Sequence, residues 1–377
     1  MKGKRLSALM LSVLLLLGAS SCGKQEAPDA SVSKSDQSQS AVSVIAPVPD
    51  PEPEPEPEPE PTPAPEPEFA YTNPLTGEGC ETDIGQNRPV AIMLNNLKKA
   101  LPQMGVSQAD IIFEIPAEGG ITRMMAVFQD VSDVGTIGSV RSARDYYISL
   151  AKGMDALYLH AGGSPQAYTA IKNWSVTALD CVNGPYEGTL YWRDAARKKS
   201  AGYEHSVVTS GEKITQLLPT YNLRLEHKDG YSYPMSFAEN AAPVNGQQAD
   251  EITIAYSTYK TGVFQYDGET GLYYVKEYGA PYVDGNTGEQ VAVKNVLILQ
   301  TDIYQIQGDE AGRLSVRTTG TGKGKFACGG KITDITWSKS SHADPMTFRT
   351  LDGQELQFGV GSTYVNVIGG TSTYSYE

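Results

Sequence analysis

The sequence predicts an α/β domain with a mixed sheet over residues 71–225, followed by a mainly antiparallel β domain over residues 250–377. In the first part, short apolar runs alternate with helical segments, and several runs lack a polar face, which is typical of strands buried on both sides. In the second part, strand-like runs follow one another with turn signals at intervals of roughly 8 to 12 residues. Residues 226–249, which are rich in turn formers, predict a hinge between them.

The first 21 residues have the composition of a secretory signal peptide. Lys2, Lys4 and Arg5 precede an apolar run and a group of small residues that ends at Cys22. A cysteine after small residues resembles a bacterial lipobox, and this resemblance implies that Cys22 receives the lipid, with palmitate among its acyl chains. We therefore expect a protein anchored to the cell membrane on its extracytoplasmic face.

Residues 22–70 predict a disordered tether. Proline and glutamate alternate from Pro47 to Glu68, a composition that cannot build a packed core and favours an extended polyproline-II chain. At ~3.1 Å per residue this stretch reaches roughly 70 Å, which would lift the folded part away from the lipid surface.

The charge of the chain excludes one class of partner. The formal net charge is −14 at pH 7, and nucleic-acid-binding proteins instead concentrate lysine and arginine. We therefore expect no nucleic-acid partner.

The sequence shows no motif for a cofactor or a metal. The four histidines have neither HExxH nor paired spacing, so no metal site is predicted. Cys80, Cys181 and Cys328 remain once Cys22 is assigned to lipid, and the sequence does not decide whether two of them form a disulfide.

Four apolar runs in the first domain predict strands. They are bounded by turn formers or polar residues, and they are Val90–Leu94, Ala109–Ile115, Met124–Phe128 and Ala156–His160.

Two helices are predicted from their start signals. Ser142 and Asp145 have the spacing of a capping box, and Gly153 is placed to end that helix. Ser164 and Pro165 read as an N-cap and a first helical residue. Because the N-terminus of a helix carries unpaired N–H groups and a partial positive charge, both starts are candidate anion sites.

Arginine and histidine side chains near these helix starts predict a pocket for a polar or anionic ligand. Arginine supplies two parallel donors to a carboxylate or phosphate, and a histidine at the end of a strand often faces a pocket in an open α/β sheet. The candidate ligand-binding residues are Arg123, Arg141, Arg144, His160, Ser164, Glu118, Arg193 and His205.

An enzymatic alternative remains open. Glu114 and Glu118 could act as acid and base in hydrolysis, with His160 as a further proton carrier, in a hydrolase or transferase that modifies the cell wall. Carboxylates at a strand end more often pair with an arginine, and Arg123 is close enough in sequence to do so.

The second domain shows little chemistry. Its strand-like runs include residues 251–257, a hairpin around Asp267 and Gly268, residues 293–306, 331–339 and 363–369. Residues 320–325 (GTGKGK) lack the spacing of a phosphate-binding loop and predict a β-turn with solvated lysines.

Several motifs together resemble one known family. RPVAIMLNN, LPQMGVSQADIIFE, EGGITRMMAVFQ, IGSVRSARDYY, DALYLHAGGSP and YWRD occur in an order that resembles the YerB-like bacterial lipoproteins, and GKGKFACGGKITDITWSKSSHADPMTF resembles that family's second domain. The resemblance implies an envelope lipoprotein with a two-part domain, and it implies no particular reaction. The sequence thus predicts a membrane-anchored protein that binds a cell-envelope ligand or a membrane protein partner.

Overall fold

The computed structural model describes residues 69–377. The predicted signal peptide, the lipidation site at Cys22 and nearly all of the predicted tether lie outside these residues.

Residues 69–377 contain four α-helices, which are α1 (Asp145–Gly153), α2 (Pro165–Asn173), α3 (Ala195–Ser200) and α4 (Gly211–Leu217). The same residues contain 26 strands, most of them short. In chain order they are β1 (Tyr71–Thr72), β2 (Gly79–Cys80), β3 (Val90–Asn95), β4 (Ile111–Pro116), β5 (Thr122–Phe128), β6 (Thr136–Gly138), β7 (Leu157–His160), β8 (Ala178–Asp180), β9 (Trp192–Arg193), β10 (Val207–Ser210), β11 (Ser236–Ala238), β12 (Gln247–Gln248), β13 (Glu251–Ala255), β14 (Thr261–Asp267), β15 (Leu272–Glu277), β16 (Ala280–Pro281), β17 (Ala292–Val293), β18 (Asn295–Gln300), β19 (Ile303–Gln305), β20 (Leu314–Val316), β21 (Gly320–Cys328), β22 (Lys331–Lys339), β23 (Thr347–Thr350), β24 (Gln357–Gly359), β25 (Thr363–Ile368) and β26 (Thr373–Tyr376).

A mixed sheet of eleven strands forms the centre of the structure. Its order is β12-β22-β21-β18-β25-β4-β5-β3-β7-β8, with β23 beside β22. Neighbouring strands are parallel from β18 through β25 to β4 and from β3 through β7 to β8, whereas β5 is antiparallel to both β4 and β3. As a result, six of these strands run in the same direction; they are β18, β25, β4, β3, β7 and β8.

The central strands are buried on both faces. Successive side chains of a strand point to opposite sides, so each strand contributes to two cores. In β3, Val90, Ile92 and Leu94 contribute to one core, and Ala91 and Met93 contribute to the other. This accounts for the continuous apolar runs in the sequence.

Different layers cover the two faces of the central sheet. One core includes Tyr147 of α1 and Ala167 of α2, so these helices cover that face. The opposite core includes Ile252, Phe264 and Val275, which belong to a second, antiparallel sheet of order β16-β15-β14-β13-β26. The mixed and antiparallel sheets agree with the predicted fold class, although strands dominate and helices are few.

The two predicted domains contribute strands to the same sheet. Strand β25, from the C-terminal part, lies between β18 and β4 and pairs with both in parallel. The segment predicted as a hinge is also hydrogen-bonded: His227 N donates to Gln86 O at 2.8 Å, and the Tyr233 hydroxyl donates to Gln129 Oε1 at 2.8 Å.

Two local predictions were wrong. The N-cap of α1 is Arg144, with extended backbone angles, so Ser142 does not form a capping box. Residues 320–325 are not a turn but the start of β21, which pairs with β22 along nine residues. In both places long-range contacts override the local pattern. The predicted helix end at Gly153 and the N-cap at Ser164, whose hydroxyl accepts from Ala167 N at 3.1 Å, are confirmed.

Candidate functional site

The carboxyl ends of the co-directional strands meet at one edge of the central sheet. β3 ends at Asn95, β7 at His160 and β8 at Asp180. In open sheets with parallel strands, ligands bind in crevices outside these ends. A ligand site is therefore expected in the loops that follow these strands.

A cleft of about 460 Å³ opens beyond β7 and β8. We call it the arginine cleft. It is lined by Val140, Arg141, Ser142, Ala161, Gly162, Val182, Glu187, Arg193, Tyr203, Glu204 and Val207.

Arg141 lies on one wall of the cleft. Its guanidinium donates to the Glu204 carbonyl oxygen at 3.0 Å and lies 3.5 Å from the Glu204 carboxylate. Burial lowers the pKa of Arg141, and Glu204 acts in the opposite direction. The Glu204 side chain is 66% exposed, so this ion pair is in contact with water and contributes little to stability.

Arg193 has a similar arrangement. It donates to Glu187 Oε1 and to the Tyr203 carbonyl oxygen, both at 2.8 Å. Its guanidinium carbon lies 3.6 Å from the centre of the Tyr203 ring, a cation–π contact. The cleft thus presents two guanidiniums, two carboxylates and one aromatic ring within a single concavity.

Glu118, Arg123 and Arg144 form a separate group, which we call the Glu118 cluster. Both guanidiniums bind the Glu118 carboxylate, that of Arg123 at 2.8 Å. Burial alone would raise the pKa of Glu118, but the two arginines outweigh it and hold that pKa below its usual value. Burial and repulsion from Arg144 lower the pKa of Arg123 to about 10.

The Glu118 cluster contacts the main chain of one wall of the arginine cleft. Arg123 donates to the Ser142 carbonyl oxygen at 2.7 Å, and Arg144 donates to the Ala143 carbonyl oxygen at 2.8 Å. These bonds fix the chain between Arg141 and α1. Arg123 and Arg144 therefore hold the wall of the cleft and are not part of its lining.

His160 is fully buried and organises the loop after β7. Its Nδ1 lies 2.8 Å from the Gly162 carbonyl oxygen, and because a carbonyl can only accept, Nδ1 carries the proton. Nε2 has no hydrogen-bond partner among the described residues. Burial lowers the pKa of His160, and Asp180, which also accepts from Gly162 N at 2.7 Å, opposes that shift.

Ser164 and His205 lie outside the cleft lining. Ser164 is buried as the N-cap of α2. His205 Nδ1 accepts from the Asn95 side-chain amide at 2.6 Å, and its Nε2 lies 3.4 Å from Glu204 Oε1. Burial, followed by the positive charge of Arg141, lowers the pKa of His205. Of the predicted residues, the fold brings Arg141 and Arg193 into one cleft and places His205 behind Glu204.

Glu114 belongs to an ionic network that is closed to solvent. Lys260 binds the carboxylates of both Glu114, at 3.0 Å, and Glu277, and all three side chains are at most 1% exposed. The Tyr364 hydroxyl donates to Glu114 at 2.6 Å. Burial alone would lower the pKa of Lys260, but the two carboxylates raise it; burial and then Glu114 raise the pKa of Glu277.

Sequence reasoning missed several of these residues. Glu277 stands at the buried positions of β15, in register with Tyr273 and Val275, so the alternation of that strand could have identified it. Lys260 and Glu187 lie outside the strands and helices, and Glu204 lies in a short 3₁₀-helix (Tyr203–His205), so none of them gives such a signal.

Residues 69–377 offer neither a metal site nor a membrane-spanning helix. Their His, Cys, Asp and Glu side chains form no group of three that could hold a metal ion. None of the helices in this part of the chain has the length and apolar character needed to cross a membrane. Cys80, Cys181 and Cys328 are free thiols in the structure.

Comparisons with known proteins agree with the resemblance drawn from the motifs. The model of the N-terminal domain described as "Protein of unknown function (DUF3048)" matches residues 75–224, and the model of its C-terminal domain matches residues 252–365. YerB of Bacillus subtilis (strain 168), a candidate lipoprotein by name, is 31% identical over 300 residues, which are 78% of this chain and 85% of the relative. A crystal structure of Bacillus subtilis YerB superposes with a TM-score of 0.70 at 28% identity, covering 81% of this chain and 99% of that one.

Proposed function

The chain belongs to the YerB-like family with the two DUF3048 domains, and from this premise we propose that it is a lipid-anchored envelope protein whose arginine cleft binds a polar ligand of mixed charge. The observation that carries this proposal is the convergence of Arg141 and Arg193 on one cleft, each beside an exposed carboxylate. The peptides of the cell wall carry both carboxylates and amino groups and match this pattern.

Exchange of ion-pair partners is the physical basis of binding. The glutamate of each pair is exposed to water, Glu204 at 66% and Glu187 at 42%, and an ion pair that water can reach contributes only about 0–1 kcal/mol, so a ligand carboxylate can replace either glutamate at small cost. The released glutamate can then accept from an amino group of the ligand. Bidentate guanidinium–carboxylate bonds would fix the orientation of the ligand.

The anchor is proposed to be lipid on Cys22, which would place the cleft on the extracytoplasmic face of the cell membrane. The signal-like residues 1–21 and the lipoprotein name of the Bacillus subtilis relative support this. Cells fed a clickable palmitate analogue should label the wild-type chain and leave the Cys22→Ser chain unlabelled. Equal labelling of both would contradict the anchor.

The wall-modifying alternative has less support from the geometry. Glu114 is enclosed by Lys260, Glu118 is bound by two guanidiniums, and His160 is fully buried. Catalysis needs a group that can reach the substrate. Incubation of purified wall with wild type and with Glu118→Gln, at a temperature where circular dichroism shows both to be folded, followed by analysis of soluble fragments, tests this alternative: fragments released only by wild type would favour it over binding.

Calorimetry with wall stem peptides tests the cleft. Titration of the full chain carrying Cys22→Ser should show binding, and Arg141→Gln or Arg193→Gln should weaken it about tenfold or more, since a hydrogen bond to a charged group contributes about 1.5–3 kcal/mol. For a peptide whose amino groups are acetylated, Glu204→Gln should not weaken binding, because it removes a competitor for Arg141 and such a ligand has no amino group for the Glu204 carboxylate.

Arg349→Gln is the matched control, because Arg349 is exposed on β23 and does not line the cleft. If it weakens binding as much as the two cleft variants do, or if wild type gives no heat at millimolar peptide, the proposal fails. A membrane protein partner would then be the remaining form of the binding hypothesis, and crosslinking in cells would test it.

A further inference from the structure

A second cavity, of about 520 Å³, opens at the same edge of the central sheet. It lies beyond the carboxyl ends of β4, β25 and β18, which are adjacent and parallel. It is lined by Pro116, Ala117, Gly119, Gly120, Ile121, Tyr256, Ser257, Ile303, Tyr304, Gln305, Gly312, Leu314, Gly369, Gly370, Thr371 and Ser372. We call it the glycine cavity.

The lining of the glycine cavity contains no side chain that carries a charge at neutral pH. No aspartate, glutamate, lysine, arginine or histidine is among its residues, in contrast to the arginine cleft. A charged ligand that entered would lose water without gaining a counter-charge, which is costly. The residues that line the cavity therefore favour a neutral ligand.

Polar groups that can reach such a ligand are present. Gln305 and Thr371 are exposed, and they offer an amide and a hydroxyl that both donate and accept. Ser257 and Ser372 are already engaged, since they donate to the carbonyl oxygens of Gly120 at 2.5 Å and Tyr256 at 3.1 Å. The free hydrogen-bonding groups thus lie on the outer rim.

The lining also includes an exposed aromatic residue. Tyr304, on the short hairpin of β19 and β20, is 62% exposed although it is a large apolar side chain. Tyrosine combines a broad apolar face with a polar tip, and this combination suits a ligand that has both C–H faces and hydroxyl edges.

Glycine pairs leave the main chain accessible to a ligand. Gly119 and Gly120 have φ angles of +73°, and Gly370 has +61°, values that other residues rarely adopt. Nothing lies within 4 Å of a Cβ atom built on Gly119, so a side chain there would extend into open space at the cavity.

We propose that the glycine cavity binds a neutral oligosaccharide. Such a ligand combines apolar ring faces for Tyr304 with hydroxyl groups for Gln305, Thr371 and the glycine main chain. The volume lies within the range of about 300–1,000 Å³ that is usual for small-ligand pockets. The site is separate from the arginine cleft, so the proposal does not depend on the function proposed for that cleft.

Titration with an uncharged β-1,4-linked N-acetylglucosamine tetramer tests the proposal. Isothermal calorimetry on the full chain carrying Cys22→Ser should show binding. Tyr304→Ala should weaken it roughly tenfold, because a stacking aromatic face is lost. Thr371→Tyr should have a comparable effect by filling the rim, and both substitutions are at exposed positions where folding is not at risk.

Tyr71→Ala is the matched control, since Tyr71 is 44% exposed on β1 and does not line the cavity. It should bind as wild type does. The proposal is overturned if wild type gives no heat at ~10 mM tetramer, a concentration at which a millimolar site would be nearly filled. It is also overturned if neither Tyr304→Ala nor Thr371→Tyr weakens binding, or if only a sulfated, charged oligosaccharide binds.

Discussion

Lys260 is fully buried between two carboxylates of different strands, Glu114 on β4 and Glu277 on β15. Asn96 also donates to Glu114, at 2.8 Å, so the carboxylate is bound from several sides. Removal of water from these charges is costly, and only the mutual contacts offset that cost. The network therefore joins the central sheet to the second sheet through charges that have no access to solvent.

Removal of the lysine should destabilise the fold strongly. We expect Lys260→Met to lower the free energy of unfolding by about 3–5 kcal/mol, because the buried acidic side chains of Glu114 and Glu277 would lose their cationic partner. Urea unfolding followed by circular dichroism measures this. Lys323→Met, at an exposed position of β21, is the control and should change stability by less than about 1 kcal/mol. Equal effects of the two substitutions would contradict the role of Lys260 as the cation that stabilises the buried network.

Glu277 should make the stability depend on pH. Burial and Glu114 raise its pKa, so over the range between the ordinary and the raised pKa the folded protein holds a proton that the unfolded chain has released. The folded state then binds more protons, and stability falls as pH rises through that range. Glu277→Gln places an uncharged side chain at position 277 at every pH and should reduce this fall in stability. Urea midpoints measured from pH 5 to pH 9 would show it, and identical slopes for both proteins would argue against a raised pKa.

At the scale of elements, the Glu118 cluster connects three segments. Glu118 follows β4, Arg123 lies in β5, and Arg144 precedes α1. The cluster holds the carbonyl oxygens of Ser142 and Ala143, and Ser142 lines the arginine cleft.

Loss of the Glu118 charge should loosen this wall of the cleft. Glu118→Gln would leave the guanidiniums of Arg123 and Arg144, whose side chains are 6% and 7% exposed, without their carboxylate. We expect a loss of about 3 kcal/mol in stability and faster amide exchange at residues 142–148. Hydrogen exchange followed by mass spectrometry measures this. Glu212→Gln, at an exposed position in α4, is the control. Exchange that rises equally over the whole chain would contradict a local role.

Elements with strong local signals were predictable. The apolar runs of β3 and β5 and the Ser164–Pro165 start of α2 appear where the sequence indicates them. The start of α1 was not predictable from the sequence, because Arg123 binds the Ser142 carbonyl oxygen. Strand β21 was not predictable either, because it forms by pairing with β22 along its whole length. Those contacts come from distant residues, so a local pattern cannot reveal them.

At the scale of the whole molecule, the central sheet crosses the boundary between the two predicted domains. Strand β4 of the first part has β25 of the second part as its neighbour, and Glu114 of the first part forms an ion pair with Lys260 of the second part. A segment cut at this boundary would expose the edge of β4 and leave a buried charge unpaired.

Residues 71–225 alone should therefore fail to fold as a stable unit. We expect the isolated segment to show no cooperative thermal transition, and the full chain to unfold in a single transition followed equally by circular dichroism and fluorescence. Scanning calorimetry of both proteins tests this. A sharp transition in the isolated segment would mean that the first part is an independent domain.

The family, the many strands and a set of arginines beside turns could be inferred from the sequence alone, because each of these depends on residues that are close together in the chain; the lipid anchor at Cys22 stays a prediction. The sequence did not determine which arginines share a cleft. Only the tertiary structure placed Arg141 with Arg193, bound Arg123 and Arg144 to Glu118, and buried Glu114 with Lys260. These placements depend on the pairing of β10 with both β6 and β9, which brings Arg193 to the chain before Arg141, and on the pairing of β25 with β4. Each of these pairings joins residues that are far apart in sequence, and the environment of a charged side chain depends on such distant neighbours.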